Sequence, residues 1–83
     1  MINLLFFARL RDDLDCQQES LALPEEVTNV GQLRDLLCQR GDKWQQALNM
    51  PGLFVAVNQE VCDWNAELSG GEEVAFFPPV TGG

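Results

Sequence analysis

Glu72-Glu73-Val74-Ala75-Phe76-Phe77-Pro78-Pro79-Val80-Thr81-Gly82-Gly83 closes the sequence and divides into two unlike halves. Residues 72–77 are rich in β-branched and aromatic side chains and read as a strand. Pro78 and Pro79 stop it, because proline has no N–H to give to a ladder and its ring holds the chain extended. Residues 78–83 reach about 20 Å when fully extended. Gly82 and Gly83 carry no side chains, so they fit a channel too narrow for any other pair and leave the final carbonyl carbon open to attack. The expectation is a domain over 1–77 that presents an extended tail over 78–83.

Working back from that tail, the rest of the chain supplies a small mixed sheet. Residues 2–8 alternate, with Ile2, Leu4, Phe6 and Ala8 on one face and Asn3, Leu5 and Phe7 on the other. Arg9 to Cys16 reads as a turn or short helix with Leu10 and Leu14 in register. Glu19 to Leu23 is a second short strand that Pro24 ends. Thr28 or Asn29 is placed as the N-cap of the next segment, and with Asn29 as cap Gln32 falls three residues on, the pattern of a capping box. Val30, Leu33 and Leu37 then recur at helical spacing up to Gly41, which is placed to terminate the helix. Asp42 is placed to cap a second helix, Lys43 to Leu48, whose apolar residues are Trp44, Ala47 and Leu48. Asn49-Met50-Pro51-Gly52 is turn chemistry, 53–57 a strand, Asn58-Gln59 a tight turn of open type, and 60–62 a short return strand. One main helix cannot cover both faces of a sheet. A right-handed crossover after the first hairpin would set the first and last strands side by side in the centre. That is the α+β, β-grasp (ubiquitin-like) arrangement of about five strands with one main helix on one face.

Composition narrows the function. With 83 residues there is one domain and one modest core, too small for a deep internal active site. The net charge of −8 opposes binding to nucleic acid or an anionic membrane. Lys43 is the last basic residue, so the half that bears the tail holds only Glu60, Asp63, Glu67, Glu72 and Glu73 as charged side chains. That polarity suits a partner with a cationic cleft. Cys16, Cys38 and Cys62 are odd in number and widely spaced, which argues against a disulfide framework and for a reducing, cytoplasmic setting. The N-terminus has no basic region or cleavage site of a secretory signal.

The remaining chemistry is sparse. Asp12-Asp13, Glu25-Glu26 and Glu72-Glu73 are sequence neighbours without ligand spacing and read as solvated charge, so no metal site is expected. Without histidine no cysteine has a partner to make its thiolate, and Cys62 reads as a small core filler. Ser69-Gly70-Gly71-Glu72 lacks the Lys-Ser/Thr of a phosphate loop. The outward aromatics are more informative. If the last strand buries Val74 and Phe76, then Phe77 faces outward beside Ala75, and Phe7 lies on the same face with Val61 or Cys62 near its edge. Clustered exposed apolar residues beside a tail suggest a docking patch.

Leu4-Leu5-Phe6-Phe7-Ala8, Val55-Ala56-Val57-Asn58 and the run Glu73 to Gly83 resemble the small subunit of molybdopterin synthase over the whole chain. Two departures are Ser69-Gly70-Gly71-Glu72, where that family usually has an Asp-Gly-Asp turn, and Asn58-Gln59 in place of the commoner Asn-Gly. The resemblance implies a sulfur carrier with no bound cofactor. An adenylyltransferase similar to the ubiquitin-activating enzyme would use ATP-Mg to adenylate Gly83, and a sulfur donor protein would convert the adenylate to a thiocarboxylate. Phe7, Val61 and Phe77 would contact the large subunit, in a heterotetramer. Pro78, Pro79, Val80, Thr81 and Gly82 would carry Gly83 into that subunit, which holds cyclic pyranopterin monophosphate. The residues alone leave other readings open: a carrier for thiamine, cysteine or transfer-RNA thiolation, a ubiquitin-like protein modifier, or a binding domain with an inert tail.

Overall fold

A computed structural model describes residues 1–79. In chain order the elements are β1 (Ile2–Phe6), α1 (Arg9–Leu14), β2 (Gln18–Leu21), α2 (Val30–Cys38), α3 (Asp42–Leu48), β3 (Phe54–Val57), β4 (Glu60–Cys62) and β5 (Glu73–Phe77). The strands form one sheet in the order β2-β1-β5-β3-β4. β1 and β5 are parallel neighbours and the other pairs are antiparallel. This is the β-grasp order expected from the sequence, with the first and last strands at the centre.

Period-two alternation sends Ile2, Leu4 and Phe6 of β1 and Val74 and Phe76 of β5 to one face, where all five are fully buried. Leu10 and Leu14 of α1, Val30, Leu33 and Leu37 of α2, and Ala47 and Leu48 of α3 close over them in one cluster. Phe6 stacks on Phe76 at 5.7 Å and meets Trp44 edge-on at 5.5 Å. Each fully buried side chain of this size contributes about 1.5–3 kcal/mol relative to exposure.

Element ends follow partners more closely than composition does. β2 stops at Leu21 and not Leu23, because Leu21 pairs with Ile2 and β1 offers nothing beyond it. β3 starts at Phe54 and not Leu53, because Phe54 already faces Phe77 and the residue after Phe77 is a proline with no N–H. β1 stops at Phe6. Ala8 is exposed and outside the strand, where alternation had put it in the core. The chain turns into α1 there, with Ala8 at φ 55° and ψ −134°, a conformation ordinarily left to glycine. Ala75, expected outward, is nonetheless buried at 7% exposure, because flanking strands cover its small side chain.

The start of α2 follows its local cap signals more closely than its end does. Asn29 caps α2 by accepting from the Gln32 amide at 2.8 Å. Gln32 Oε1 reaches back one residue further than a capping box requires, accepting from the Thr28 amide (2.6 Å) and hydroxyl (3.0 Å). The Val30 and Gly31 amides donate to the Ala66 and Trp64 carbonyls, so the 63–68 loop satisfies the rest of that helix start. At its other end α2 finishes at Cys38 with Gln39 as C-cap, and Gly41 serves as the N-cap of α3. Asp42 is therefore inside the first turn of α3, where its charge meets the helix dipole, and is not the cap.

Asn58 and Gln59 adopt φ of 51° and 71°, so the β3–β4 hairpin closes on a type I′ turn. The Asn58 side chain earns that conformation by accepting from the Glu73 amide at 3.1 Å, while its own amide donates to the Glu73 carbonyl at 2.8 Å. Gln59 has no such compensation among the described residues. Gln59→Gly should therefore raise unfolding free energy by about 0.5–1 kcal/mol, read as a higher urea midpoint at constant slope.

A second local prediction concerns Glu19 of β2 and Arg40. Arg40 donates through Nη1 to Glu19 Oε1 at 2.8 Å and through Nη2 to Oε2, and its guanidinium lies 4.5 Å from the Trp44 ring centroid. The Arg40 hydrogen bonds hold the Glu19 carboxyl below its ordinary range despite partial burial. A carboxylate depressed on folding contributes its stability above its unfolded pKa of about 4.3 and loses it as pH falls through the lower folded value. The pair is about a third exposed, so Glu19→Gln should cost about 1 kcal/mol at pH 7. The gap from the parent protein should close below about pH 4, as measured by urea melts across pH.

Candidate functional site

The sheet face away from the helices carries two apolar rows at the end where β5 runs out. Leu5, Ala75, Ala56 and Val61 lie opposite one another across β1, β5, β3 and β4. One step nearer the tail, Phe54 faces Phe77. Continuing the β1 register past Phe6 and Phe76 sets Phe7 beside Phe77, and the Phe7 amide donates to the Phe76 carbonyl at 3.2 Å. Phe54 and Phe77 stack at 5.5 Å with an interplanar angle of 18°.

Phe7, Phe54 and Val61 are 48%, 43% and 66% exposed, so this face has no cover among the described residues. Phe77 is half-buried between its neighbours. The row furthest from the tail is polar: Asn3 pairs with Glu73 and accepts from the Ser20 hydroxyl at 3.1 Å. The apolar surface is thus confined to the root of the tail. Isolated exposed apolar residues need no explanation, whereas a contiguous set with a polar margin is the make-up of a protein-docking surface.

Of the residues singled out from sequence, the structure brings together Phe7, Phe77 and Val61 on one face, and Pro78 and Pro79 follow half-buried at its edge. Val80, Thr81, Gly82 and Gly83 lie outside the described residues. Cys62, considered for the patch edge, instead turns inward opposite Val55 and packs against the core. Phe54 was not anticipated. Alternation within 53–57, with Val55 and Val57 inward, would have put Phe54 outward, but only the β3–β5 register places it against Phe77.

At the end of β5 away from the tail, charge is held by backbone. Glu72 accepts from the Ser69 amide (2.8 Å) and hydroxyl (3.1 Å) and from the Gly70 amide (2.7 Å). Those donors, the Ser69 amide foremost, hold its carboxyl below the usual range. Glu72 is therefore the carboxylate that closes the Ser69–Gly71 turn, two residues of which have positive φ. At the far side Arg34 lies 4.2 Å from the Trp64 centroid, and Trp64 stacks on Phe76 at 6.2 Å, which seals the core beneath the 63–68 loop.

The cysteines offer no nucleophile at this site. All three are free, and burial pushes the Cys38 and Cys62 thiols up, away from the thiolate. Among the described residues no group of His, Cys, Asp or Glu could hold a metal ion, and no helix is long and apolar enough to cross a membrane.

A profile of the ThiS family matches residues 4–83, which takes in all of the sheet but Ile2 and Asn3, the patch and the Gly-Gly end. The chain belongs to the ThiS family. Among ThiS-family relatives, the molybdopterin synthase sulfur carrier subunit of Haemophilus influenzae is 40% identical over 83 residues, all of both chains. The ThiS-family fold is shared with SAMP1 from Haloferax volcanii, with a TM-score of 0.81 at 23% identity over 99% of this chain and 98% of that one. It is shared too with a chain of the complex of subunits 1 and 2 of the molybdopterin-converting factor from Helicobacter pylori. There the TM-score is 0.68 at 20% identity, over 99% of this chain and 97% of that one.

Proposed function

We propose that this ThiS-family protein is the sulfur carrier subunit of a molybdopterin synthase, acting as a sulfurtransferase subunit whose reactive group is the Gly83 carboxyl. The observation that carries the proposal is the full-length 40% identity to a sulfur carrier subunit of that name. The apolar face at the tail root supports it independently, because a carrier must be gripped by a protein that receives its tail. The Helicobacter pylori complex, in which subunits 1 and 2 assemble, supports a large subunit as that partner.

In this reading the Gly83 carboxylate attacks the α-phosphorus of ATP on an adenylyltransferase, with Mg present, and expels pyrophosphate. Sulfur at the oxidation level of sulfide, supplied by a donor protein, displaces AMP and leaves a thiocarboxylate. The large subunit then grips Phe7, Phe54, Phe77 and Val61 and admits Pro78 through Gly83, and the thiocarboxylate sulfur passes to cyclic pyranopterin monophosphate. Water returns Gly83 to the carboxylate. The carrier contributes no general acid or base, so its catalytic share is delivery of a nucleophile in place. The acidic C-terminal half of the sequence suits a cationic pocket on the partner.

Incubation with an adenylyltransferase, ATP and a sulfur source, followed by intact mass, tests this. One oxygen-to-sulfur exchange at the C-terminus, with sulfur delivered to the pterin on addition of the large subunit, is the expected result. Isopeptide adducts on lysines would mark a protein modifier. Exchange without delivery to the pterin would mark a carrier for another pathway, and no mass change a binding domain.

A further inference from the structure

The β3–β5 register pairs Phe54 with Phe77, and continuing it two residues further along each chain sets Gly52 opposite Pro79. Pro79 has no N–H, so the ladder cannot continue there. What replaces it is a close fit. A Cβ on Gly52 would stand 3.3 Å from Pro79 Cγ and 3.6 Å from its Cβ, tighter than ordinary contact at the nearer atom. The Pro79 ring thus occupies the notch that the missing side chain leaves. Gly52 is itself held rigidly. The Leu53 amide donates to the Met50 carbonyl at 3.3 Å, Pro51 presets the first corner and Gly52 sits at φ 78°, the form of a type II turn. Leu53, the next residue, is buried in the core.

From this geometry we infer that Gly52 is a positioning residue for sulfur transfer: the Met50–Leu53 turn seats Pro79 and so sets the direction of the chain at Pro79, where it leaves the sheet. Gly52 touches neither substrate nor the reacting carbon and acts through Pro79 alone. The inference rests on the sulfur-carrier reading for its functional consequence, but the seat itself is a property of the free domain.

Gly52→Asn tests it, because asparagine tolerates positive φ and so leaves the turn largely unstrained while its side chain displaces the proline ring. Transfer from preformed thiocarboxylate, at saturating large subunit, should fall at least tenfold, since misplacement by about 1 Å can cost about a hundredfold. Affinity for the large subunit should stay within about twofold, as expected when a change touches positioning and not binding. Pro79→Ala removes the ring atom nearest Gly52, so adding Gly52→Asn to it should lower the rate no further. A full rate in Gly52→Asn, additive losses in the double variant, or affinity falling in step with rate would each overturn the inference. A contact between Gly52 Hα and the Pro79 ring protons in nuclear Overhauser spectra of the free protein is expected, and its absence would overturn the seat whatever the function. If the parent protein itself delivers no sulfur, the functional reading fails and the Overhauser contact alone decides the seat.

Discussion

Deletion of Gly83 should leave a domain that unfolds at the same urea midpoint as the full chain yet delivers no measurable sulfur. The two halves of this expectation have separate physical grounds. Stability resides upstream: β5 ends at Phe77, and among the described residues the core cluster contains none beyond Phe76. Function resides at the end of the chain. Losing one residue withdraws the reacting carbon by about 3.3 Å, even though Gly82 still offers an unhindered carboxyl. Because a 1 Å error can cost about a hundredfold, a loss beyond a thousandfold is expected. Intact mass after activation and single-turnover transfer to the large subunit measure it, beside a urea melt. Delivery at the parental rate by the truncated chain would refute the assignment of Gly83.

Phe7→Asp should weaken binding to the large subunit by about 2–4 kcal/mol, roughly 30- to 1,000-fold, since aromatic anchors near the centre of an interface carry this much. The same change should cost the free domain under about 1 kcal/mol, because Phe7 is 48% exposed and its backbone amide still bonds to Phe76. Its sequence neighbour supplies the contrast. Phe6 is 1% exposed and stacks on Phe76, so Phe6→Ala should cost about 3–5 kcal/mol of stability. Calorimetric titration and urea melts on the same preparations separate the two effects. Equal losses of affinity and stability in Phe7→Asp would place Phe7 in the core and remove it from the docking face.

The contrast between Phe6 and Phe7 also shows why much of this protein was legible in its sequence. Local periodicity is enough to sort residues to faces where both faces are well defined, as in β1 and α2, and there the expectation of Ile2, Leu4, Phe6, Val30, Leu33 and Leu37 as core was met. Cap chemistry is equally local, so the N-cap of α2 is confined to Thr28 or Asn29 by sequence, and the structure selects Asn29. The misreadings arose where a distant partner decides. Leu23 has the look of a strand residue but no β1 residue to pair with, and Leu53 has the same look but faces a proline. Ala8 looked like a strand residue because nothing in its own side chain announces positive φ. Phe54 escaped notice because its role depends on Phe77, which lies in another strand. Glu72 is the converse case. Its position differs from the usual Asp-Gly-Asp pattern, yet three donors from Ser69 and Gly70 converge on it and the turn is closed all the same.

The parallel pairing of β1 with β5 has a mechanical consequence. Traction applied through the tail pulls β5 by its C-terminal end while the rest of the domain resists chiefly through β1 and β3, which are hydrogen-bonded along both its edges. The force then runs along the strand axis, and the inter-strand bonds on both sides are loaded in shear, together. A strand at the sheet edge pulled sideways would instead unzip one bond at a time. A partner that threads the tail through a narrow channel, or releases it against friction, therefore works against the part of the sheet best able to hold.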